Sequence, residues 1–189
     1  MFRQRTSLPL PLAAALIFIP APPVVSVVPF VAAGLVLVAA GEGIRLASVH
    51  HIGAISRTRS DRLGPLVASG PFAVVRNPLY IGNILLWAGF AVLARLVWLA
   101  PVIVLLLAFE YHAIVRWEET LLEARLGDSY RTYAKRVHRW LPSFSMSSTA
   151  AGPASPATFS WRQTLFSERG TLIAIAAGIA LLLLKNKLA

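Results

Sequence analysis

The chain has 189 residues, of which 57% are hydrophobic and only 14% are charged, whereas soluble domains carry about 25% charged residues. It contains no cysteine, so disulfides, thiolate catalysis and zinc–cysteine sites are excluded. Several apolar runs approach the ~20 residues that a helix needs to cross a bilayer, and the alternating pattern of a membrane barrel is not visible. We therefore predict an all-α fold, a multi-span helical integral membrane bundle.

The net charge of +10 arises from basic residues that flank the apolar segments. In a soluble protein such a balance would indicate nucleic acid as a partner. Here it favours membrane topology and contact with anionic lipid headgroups instead. We predict membrane lipids as partners, no nucleic acid and no metal site.

The first apolar segment, about Leu8–Ile19, is short and follows two arginines, as the core of a signal peptide does. No clear small-x-small cleavage site follows it, so we predict a retained first helix, which spans only if its prolines kink it. The second segment, about Val24–His50, is long and contains Glu42 and Arg45 near its far end. Together these segments form the predicted N-terminal region of membrane helices, residues 1–64.

A polar loop, residues 51–78, leads to two further apolar segments, about Leu79–Leu93 and Leu96–Val115. Their connection around Arg95 is tight, which predicts an antiparallel hairpin. Residues 116–142 are charged but keep a helical pattern. Basic residues concentrate in 51–78 and after 115, so the positive-inside rule predicts that both stretches are cytoplasmic.

The C-terminal part divides into a linker and a helix. A Ser/Ala/Pro-rich stretch predicts a flexible linker over 143–165, and residues 166–189 form the predicted C-terminal apolar helix. Its apolar segment, about Thr171–Leu184, either spans, re-enters or lies at the interface. Its small residues permit close packing, so it is a candidate homodimer contact.

The stretch at 70–82 reads GPFAVVRNPLYIG. Asn77 is a good N-cap and Pro78 is favoured as a first helical residue, so we predict that a helix begins at Pro78. The free N–H groups there, together with Arg76, favour a carboxylate ligand. Tyr80 would add an aromatic surface and Gly82 a position of close approach. The alternative is an ordinary interfacial anchor.

The stretch at 116–142 begins RWEETLLEARLG. Glu118 and Glu119 lie close to the apolar boundary, where a carboxylate is costly to desolvate. Either Arg116, Glu119 and Glu123 form a surface ion-pair ladder, or one glutamate faces a ligand. Because the two stretches bracket one hairpin, we expect its folding to bring them together.

A second helix is predicted in the same stretch. Gly127 ends the preceding helix, and either Asp128 or Ser129 is expected to cap the next one. The pattern from Ser129 to Trp140 is that of a basic helix. Such a helix lies at the lipid headgroups or covers a pocket.

These residues resemble the isoprenylcysteine carboxyl methyltransferase family, whose pattern is shared with phospholipid N-methyltransferases. The resemblance covers about residues 65–142, the predicted methyltransferase-like core, and departs from the family at Asn77, where histidine is usual. The residues that carry it are Gly70, Pro71, Phe72, Arg76, Pro78, Tyr80, Gly82, Glu118, Glu119, Leu122, Gly127, Tyr130, Tyr133, Val137 and Pro142.

The resemblance implies a membrane enzyme that uses S-adenosylmethionine in a cytoplasmic C-terminal helical cofactor region. It implies that Arg76, Pro78, Tyr80 and one or both of Glu118 and Glu119 help to form the cofactor site. The full predicted set of cofactor-binding residues is Arg76, Asn77, Pro78, Tyr80, Gly82, Glu118, Glu119, Tyr130 and Tyr133. Arg116 is the nearest cation able to orient a carboxylate acceptor, so we predict it as the catalytic residue.

The expected partner is a lipophilic small molecule, such as an isoprenylcysteine-like carboxylate. The alternatives are a phospholipid ethanolamine N-methyltransferase, an NADPH-dependent membrane reductase and a non-catalytic membrane scaffold.

Overall fold

The computed structural model describes residues 9–53, 66–143 and 160–188. All regular elements in these ranges are helices, which confirms the all-α prediction. They are α1 (Pro9–Phe18), α2 (Val28–Ile52), α3 (Pro71–Val74), α4 (Pro78–Leu93), α5 (Leu99–Leu126), α6 (Asp128–Arg136) and α7 (Trp161–Leu188).

Three of these helices, α2, α5 and α7, are long and apolar enough to cross a membrane. The chain is therefore a membrane protein with three candidate spans among its described residues. Helix α4 is apolar but has 16 residues, and α1 has ten. At 1.5 Å per residue, α1 covers about half of the ~30 Å hydrocarbon thickness. The number of crossings and the side of the polar stretches stay predictions.

The chain divides into two compact units, and the boundaries between them fall within helices. Unit 1 comprises residues 1–41, 84–108 and 170–189. Two of its helices, α2 and α4, touch backbone to backbone at glycines. A Cβ atom on Gly34 would lie 2.7 Å from the backbone nitrogen of Leu93, and one on Gly89 would lie 2.8 Å from that of Val38. Only glycine permits this approach.

The connection between α4 and α5, also in unit 1, is as short as predicted. Arg95 adopts a left-handed conformation there, with φ of 61°, and is buried. Its Nε donates to Oδ1 of Asn186 at 3.1 Å, and Asn186 donates to the Leu93 carbonyl at 2.7 Å. Helix α7 thereby supplies hydrogen bonds to this turn, although Arg95 Nη2 is buried without a partner among the described residues.

Unit 2 comprises residues 42–83 and 109–169. Its apolar core lies under the short helix α6, where Tyr130 and Tyr133 are buried at the i, i+3 spacing of one helix face. Val137, which follows the helix, is buried beside them. The Tyr133 hydroxyl donates to the Phe72 carbonyl at 2.7 Å. This bond ties α6 to α3.

A buried polar cluster in unit 2 joins α2, α4 and α7. Arg45 donates from Nε to Glu42 Oε2 at 3.1 Å and from Nη2 to Glu168 Oε2 at 2.6 Å. Its Nη1 donates to Oδ1 of Asn83. The sequence predicts Glu42 and Arg45 near the end of α2, but their partners come from distant segments.

Two predictions about α6 are wrong. Gly127, with φ of 53°, is the N-cap residue, and no side chain caps the helix. One glycine therefore ends α5 and starts α6, while the Asp128 carboxylate pairs with Arg131 at 3.1 Å. The helix also ends at Arg136 rather than Trp140, because Val137 is extended (φ −109°, ψ 123°).

Helix α7 begins ten residues before its apolar segment. The reason is a capping box: Ser160 N donates to Gln163 Oε1 at 2.8 Å, and Gln163 N donates to Ser160 Oγ at 3.3 Å. Trp161 is thus helical although it lies inside the predicted linker. Most of that linker, residues 144–159, and the predicted boundary at 64–65 lie outside the described residues.

Candidate functional site

The two polar stretches predicted to meet do lie together in unit 2. The amide nitrogen of Arg76 donates to the His138 carbonyl at 2.9 Å, and that of Ser143 donates to the Val74 carbonyl at 2.7 Å. The Asn77 side-chain nitrogen donates to the Arg139 carbonyl at 3.1 Å. The chain after α6 therefore runs along the turn that precedes α4.

Helix α4 begins at Pro78, as predicted. The Asn77 carbonyl accepts the first intrahelical bond, from the nitrogen of Ile81 at 3.3 Å. The Asn77 side-chain amide nitrogen instead donates to the Arg139 carbonyl. Asparagine at this position thus links the start of α4 to the segment that follows α6.

Two arginines share one carboxylate at the centre of this contact. Glu119 Oε1 lies 3.0 Å from Arg76 Nη1. Arg139 donates to the same carboxylate from Nε at 3.0 Å and from Nη2 at 2.5 Å. Their side chains are 14%, 14% and 26% exposed for Glu119, Arg76 and Arg139. Charge-assisted, bidentate bonds of this kind fix geometry strongly.

Hydrogen bonds to Glu119 raise the pKa of Arg139 further above its ordinary value. Arg76 Nη1 also lies 3.5 Å from the Tyr130 hydroxyl. Burial and the Glu119 charge raise the pKa of Tyr130, with Arg76 opposing them. Tyr130 therefore stays neutral at physiological pH.

An open cleft of about 290 Å³ lies over this triad of Arg76, Glu119 and Arg139. Its lining joins the predicted site residues to side chains from α5 and α6. The lining residues are Arg76, Arg116, Glu119, Thr120, Glu123, Tyr130, Arg131, Ala134 and Arg139.

Glu118 takes part in a different contact from Glu119. The Tyr80 hydroxyl donates to its two oxygens at 3.0 and 3.1 Å. The Tyr80 ring lies 4.7 Å from the ring of Tyr111. Consecutive helical residues point about 100° apart, and the structure assigns each glutamate its own partner accordingly.

The remaining predicted site residues occupy different environments. Pro78 and Gly82 are buried in α4. Tyr133 is buried against α3, and burial raises its pKa. These three residues do not line the cleft. They are buried within unit 2 instead.

Arg116 lies exposed at the cleft. The predicted ladder through Arg116 and Glu119 is wrong, because Glu119 turns to Arg76 and Arg139. Glu123 pairs with Arg131 at 2.7 Å instead. Among the described residues, no carboxylate forms an ion pair with Arg116.

Arg139 is the residue of the site that sequence reasoning missed. In the sequence it is only one more basic residue within the predicted basic helix. It reaches Glu119 because α6 ends at Arg136 and Val137 is extended. No local signal in the sequence marks Arg139 as a partner of Glu119.

A family model described as phospholipid methyltransferase matches residues 29–129, more than half of the chain. The chain is similar to the nickel-cobalt-cadmium resistance protein NccN of Alcaligenes xylosoxydans xylosoxydans, with 27% identity over 104 residues, 55% of this chain and 48% of that one. The cobalt-zinc-cadmium resistance protein CzcN of Cupriavidus metallidurans is 28% identical with the same coverage.

A third similar chain is an uncharacterised protein of Haemophilus influenzae, 40% identical over 63 residues, 33% of this chain and 79% of that one. The chain spans about half the length of the two resistance proteins. No solved structure matches it. The matched region ends at residue 129, so Tyr130 and Arg139 lie beyond it.

Proposed function

The chain belongs to the phospholipid methyltransferase family, which includes the isoprenylcysteine carboxyl methyltransferases, and on that premise we propose that it transfers a methyl group from S-adenosylmethionine to a lipophilic acceptor at the membrane. The acceptor group is the carboxylate of an isoprenylcysteine-like molecule or the amine of an ethanolamine phospholipid. The observation that carries the proposal is the cleft of unit 2, where two arginines and a glutamate meet beside the start of α4.

The groups of the cleft fit the chemistry of this methyl donor. S-adenosylmethionine carries a carboxylate, an ammonium group and ribose hydroxyls. Arginine binds carboxylates in a bidentate manner, and a glutamate accepts hydrogen bonds from an ammonium group or from hydroxyls. The Nε atom of Arg76 is buried with no hydrogen-bond partner among the described residues, which leaves a donor for a ligand.

S-adenosylmethionine supplies a methyl group on a sulfonium. The rate of its in-line displacement by the acceptor depends chiefly on how well the acceptor, the methyl group and the sulfur are aligned. The residues of unit 2 provide fixed surfaces for that alignment. Glu118 holds the Tyr80 hydroxyl, and an aromatic face attracts a neighbouring cation. Arg116, exposed at the cleft, is the cation that orients a carboxylate acceptor. An ionised carboxylate needs no base, whereas an amine must first lose a proton.

The cofactor assignment is tested by ligand binding to the purified protein in detergent. We expect S-adenosylhomocysteine, but not NADPH, to bind in isothermal titration and to raise the melting temperature. Glu119→Gln should weaken that binding by about tenfold or more, because it removes a charged acceptor. Asp128→Asn, an exposed carboxylate paired with Arg131, is the matched control.

Binding of NADPH without S-adenosylhomocysteine would replace the proposal with a membrane reductase. Binding of neither ligand by a folded protein would favour a non-catalytic scaffold. Normal S-adenosylhomocysteine affinity in Glu119→Gln would remove the cleft as the cofactor site.

The acceptor is identified by transfer of a radiolabelled methyl group into a total lipid extract. Mild alkali separates the two acceptor classes, because it hydrolyses a methyl ester and leaves an N-methyl amine intact. Label released as volatile methanol supports the carboxylate acceptor. Label retained on the non-volatile phosphoethanolamine headgroup, which alkali also frees from its acyl chains, supports the amine. No incorporation would contradict the proposed transfer.

A further inference from the structure

The triad of Arg76, Glu119 and Arg139 carries an excess of positive charge. Two guanidinium groups face a single carboxylate, and the side chains of Arg76, Glu119 and Arg139 are only 14%, 14% and 26% exposed. The Tyr130 hydroxyl beside them is neutral, since its pKa is raised. On the rim of the cleft, Arg131 is already paired with Glu123 and Asp128. The triad at the base of the cleft therefore carries a net charge of one positive unit, because two arginines share one carboxylate.

The two arginines are not equally free to bind a second anion. Arg76 is anchored through its own amide nitrogen to the His138 carbonyl, and its Nη1 is shared between Glu119 and the Tyr130 hydroxyl. Its Nε has no partner among the described residues but is buried, so it offers an anion a single donor rather than a bidentate pair. Arg139 makes side-chain contacts to Glu119 alone among the described residues. It is also nearly twice as exposed, at 26% against 14%.

The main chain at Arg139 is held in place while its side chain lies at the cleft. The residue follows α6 beyond the extended Val137, and its carbonyl accepts a hydrogen bond from the Asn77 side chain. The main chain is thus fixed at this point, while the guanidinium can exchange one carboxylate for another. Arg76 can keep Glu119 when Arg139 leaves it.

We propose that Arg139 is the residue that recognises the carboxylate of the methyl donor's amino-acid part, giving up its bonds to Glu119 for those to the ligand. The proposal deepens the proposed function and rests on it. In the bound state each arginine has one carboxylate: Arg76 has Glu119, and Arg139 has the ligand. Arg139 lies outside the region that the family model matches, so the assignment depends on this chain's own geometry.

Two ligands that differ only in the amino-acid part test the proposal. S-adenosylhomocysteine has the carboxylate, whereas 5′-deoxy-5′-methylthioadenosine keeps the nucleoside and thioether but lacks it. We expect Arg139→Gln to weaken S-adenosylhomocysteine by about tenfold or more, the value of a charge-assisted contact. The affinity for methylthioadenosine should change less than about twofold.

Arg139→Lys should have an affinity for S-adenosylhomocysteine between those of Arg139→Gln and the wild-type protein. Lysine keeps the positive charge of arginine but lacks its planar, bidentate donor. Arg136→Gln is the matched control, since Arg136 is an exposed arginine three residues away that does not line the cleft. Both affinities should be unchanged in that variant. Melting temperatures of all variants, measured without ligand, report whether the fold is retained.

Three results would overturn the proposal. Equal weakening of both ligands in Arg139→Gln would show that Arg139 only supports Glu119. Unchanged affinities for both would place the ligand carboxylate elsewhere. Full recovery in Arg139→Lys would contradict bidentate recognition. Failure of the wild-type protein to bind either ligand is a different outcome, since it contradicts the proposed function itself.

Discussion

Adjacent residues of one helix act on different partners at the centre of unit 2. Glu118 accepts from Tyr80, while Glu119 holds Arg76 and Arg139. The divergence of the two carboxylates could be predicted, because consecutive helical residues differ by about 100° in direction. The identity of Arg139 as a partner could not, since it depends on where α6 ends.

Asn77 provides a test of how the start of α4 is held. Its amide nitrogen donates to the Arg139 carbonyl, so Asn77→Asp removes the donor and sets a carboxylate against a carbonyl. We expect a loss of about 1–3 kcal/mol in the free energy of unfolding. Asn77→His keeps a ring N–H and should lose less. Equal stability of both variants in denaturant titrations would contradict this role.

The buried tyrosines make the stability of unit 2 sensitive to alkali. Burial raises the pKa of Tyr133 and Tyr130 above the ordinary value of about 10. The folded state therefore favours the neutral phenols. Their contribution is complete below about pH 10, the pKa of an unfolded tyrosine, and is lost as pH rises through the folded values, because the unfolded chain then binds fewer protons.

We expect the unfolding free energy to be flat up to about pH 9 and to fall above the unfolded tyrosine pKa of about 10. Tyr133→Phe should lower stability at pH 8, because the Phe72 carbonyl loses its donor, and should make the alkaline fall shallower. Chemical denaturation at a series of pH values measures both effects. An unchanged alkaline slope in the variant would remove Tyr133 as a contributor.

At the scale of elements, the helix boundaries follow from local signals when those signals are recognised. The sequence correctly predicts that α4 begins at Pro78 and that Gly127 terminates α5. The start of α7 was predictable as well, because Ser160 and Gln163 have the spacing of a capping box. The Ser/Ala/Pro-rich composition of the preceding residues favoured a linker up to residue 165 instead. The end of α6 was not predictable, since a tertiary contact with the turn before α4 determines it.

The contact between α2 and α4 predicts opposite effects for two glycines of α2. Gly34→Ala would force a Cβ to within 2.7 Å of the Leu93 backbone, and we expect it to destabilise the protein by about 1–3 kcal/mol. Gly43→Ala meets nothing within 4 Å and gains helix propensity of up to about 1 kcal/mol. Thermal melting of both variants in detergent measures the difference. Similar melting temperatures would contradict the backbone contact.

At the scale of the molecule, apolar run lengths were enough to predict an all-α membrane protein. The meeting of residues 70–82 and 116–142 was also predictable. The two stretches flank the hairpin of α4 and α5, and the short connection between these helices folds its two ends together. The cluster around Arg45 was not, since Asn83 and Glu168 come from helices with no sequence signal that pairs them. Polar contacts across distant segments depend on helix rotation, which hydrophobicity alone does not define.

The absence of cysteine makes the predicted topology directly testable. Ser129→Cys and Val97→Cys place single thiols at exposed positions in α6 and in the connection between α4 and α5. By the positive-inside rule we expect a membrane-impermeant maleimide to label the first only from the cytoplasmic side. The second should be labelled only from the opposite side. Labelling of both from one side would contradict the predicted orientation.

If the protein acts on a lipophilic acceptor, as proposed, the glycine contact in unit 1 restricts the path by which that acceptor enters. Where Gly34 and Gly89 bring two helix backbones together, no lipid chain can pass between them, because neither helix has a side chain there that could rotate aside. An acceptor that entered sideways from the bilayer would therefore pass between another pair of helices.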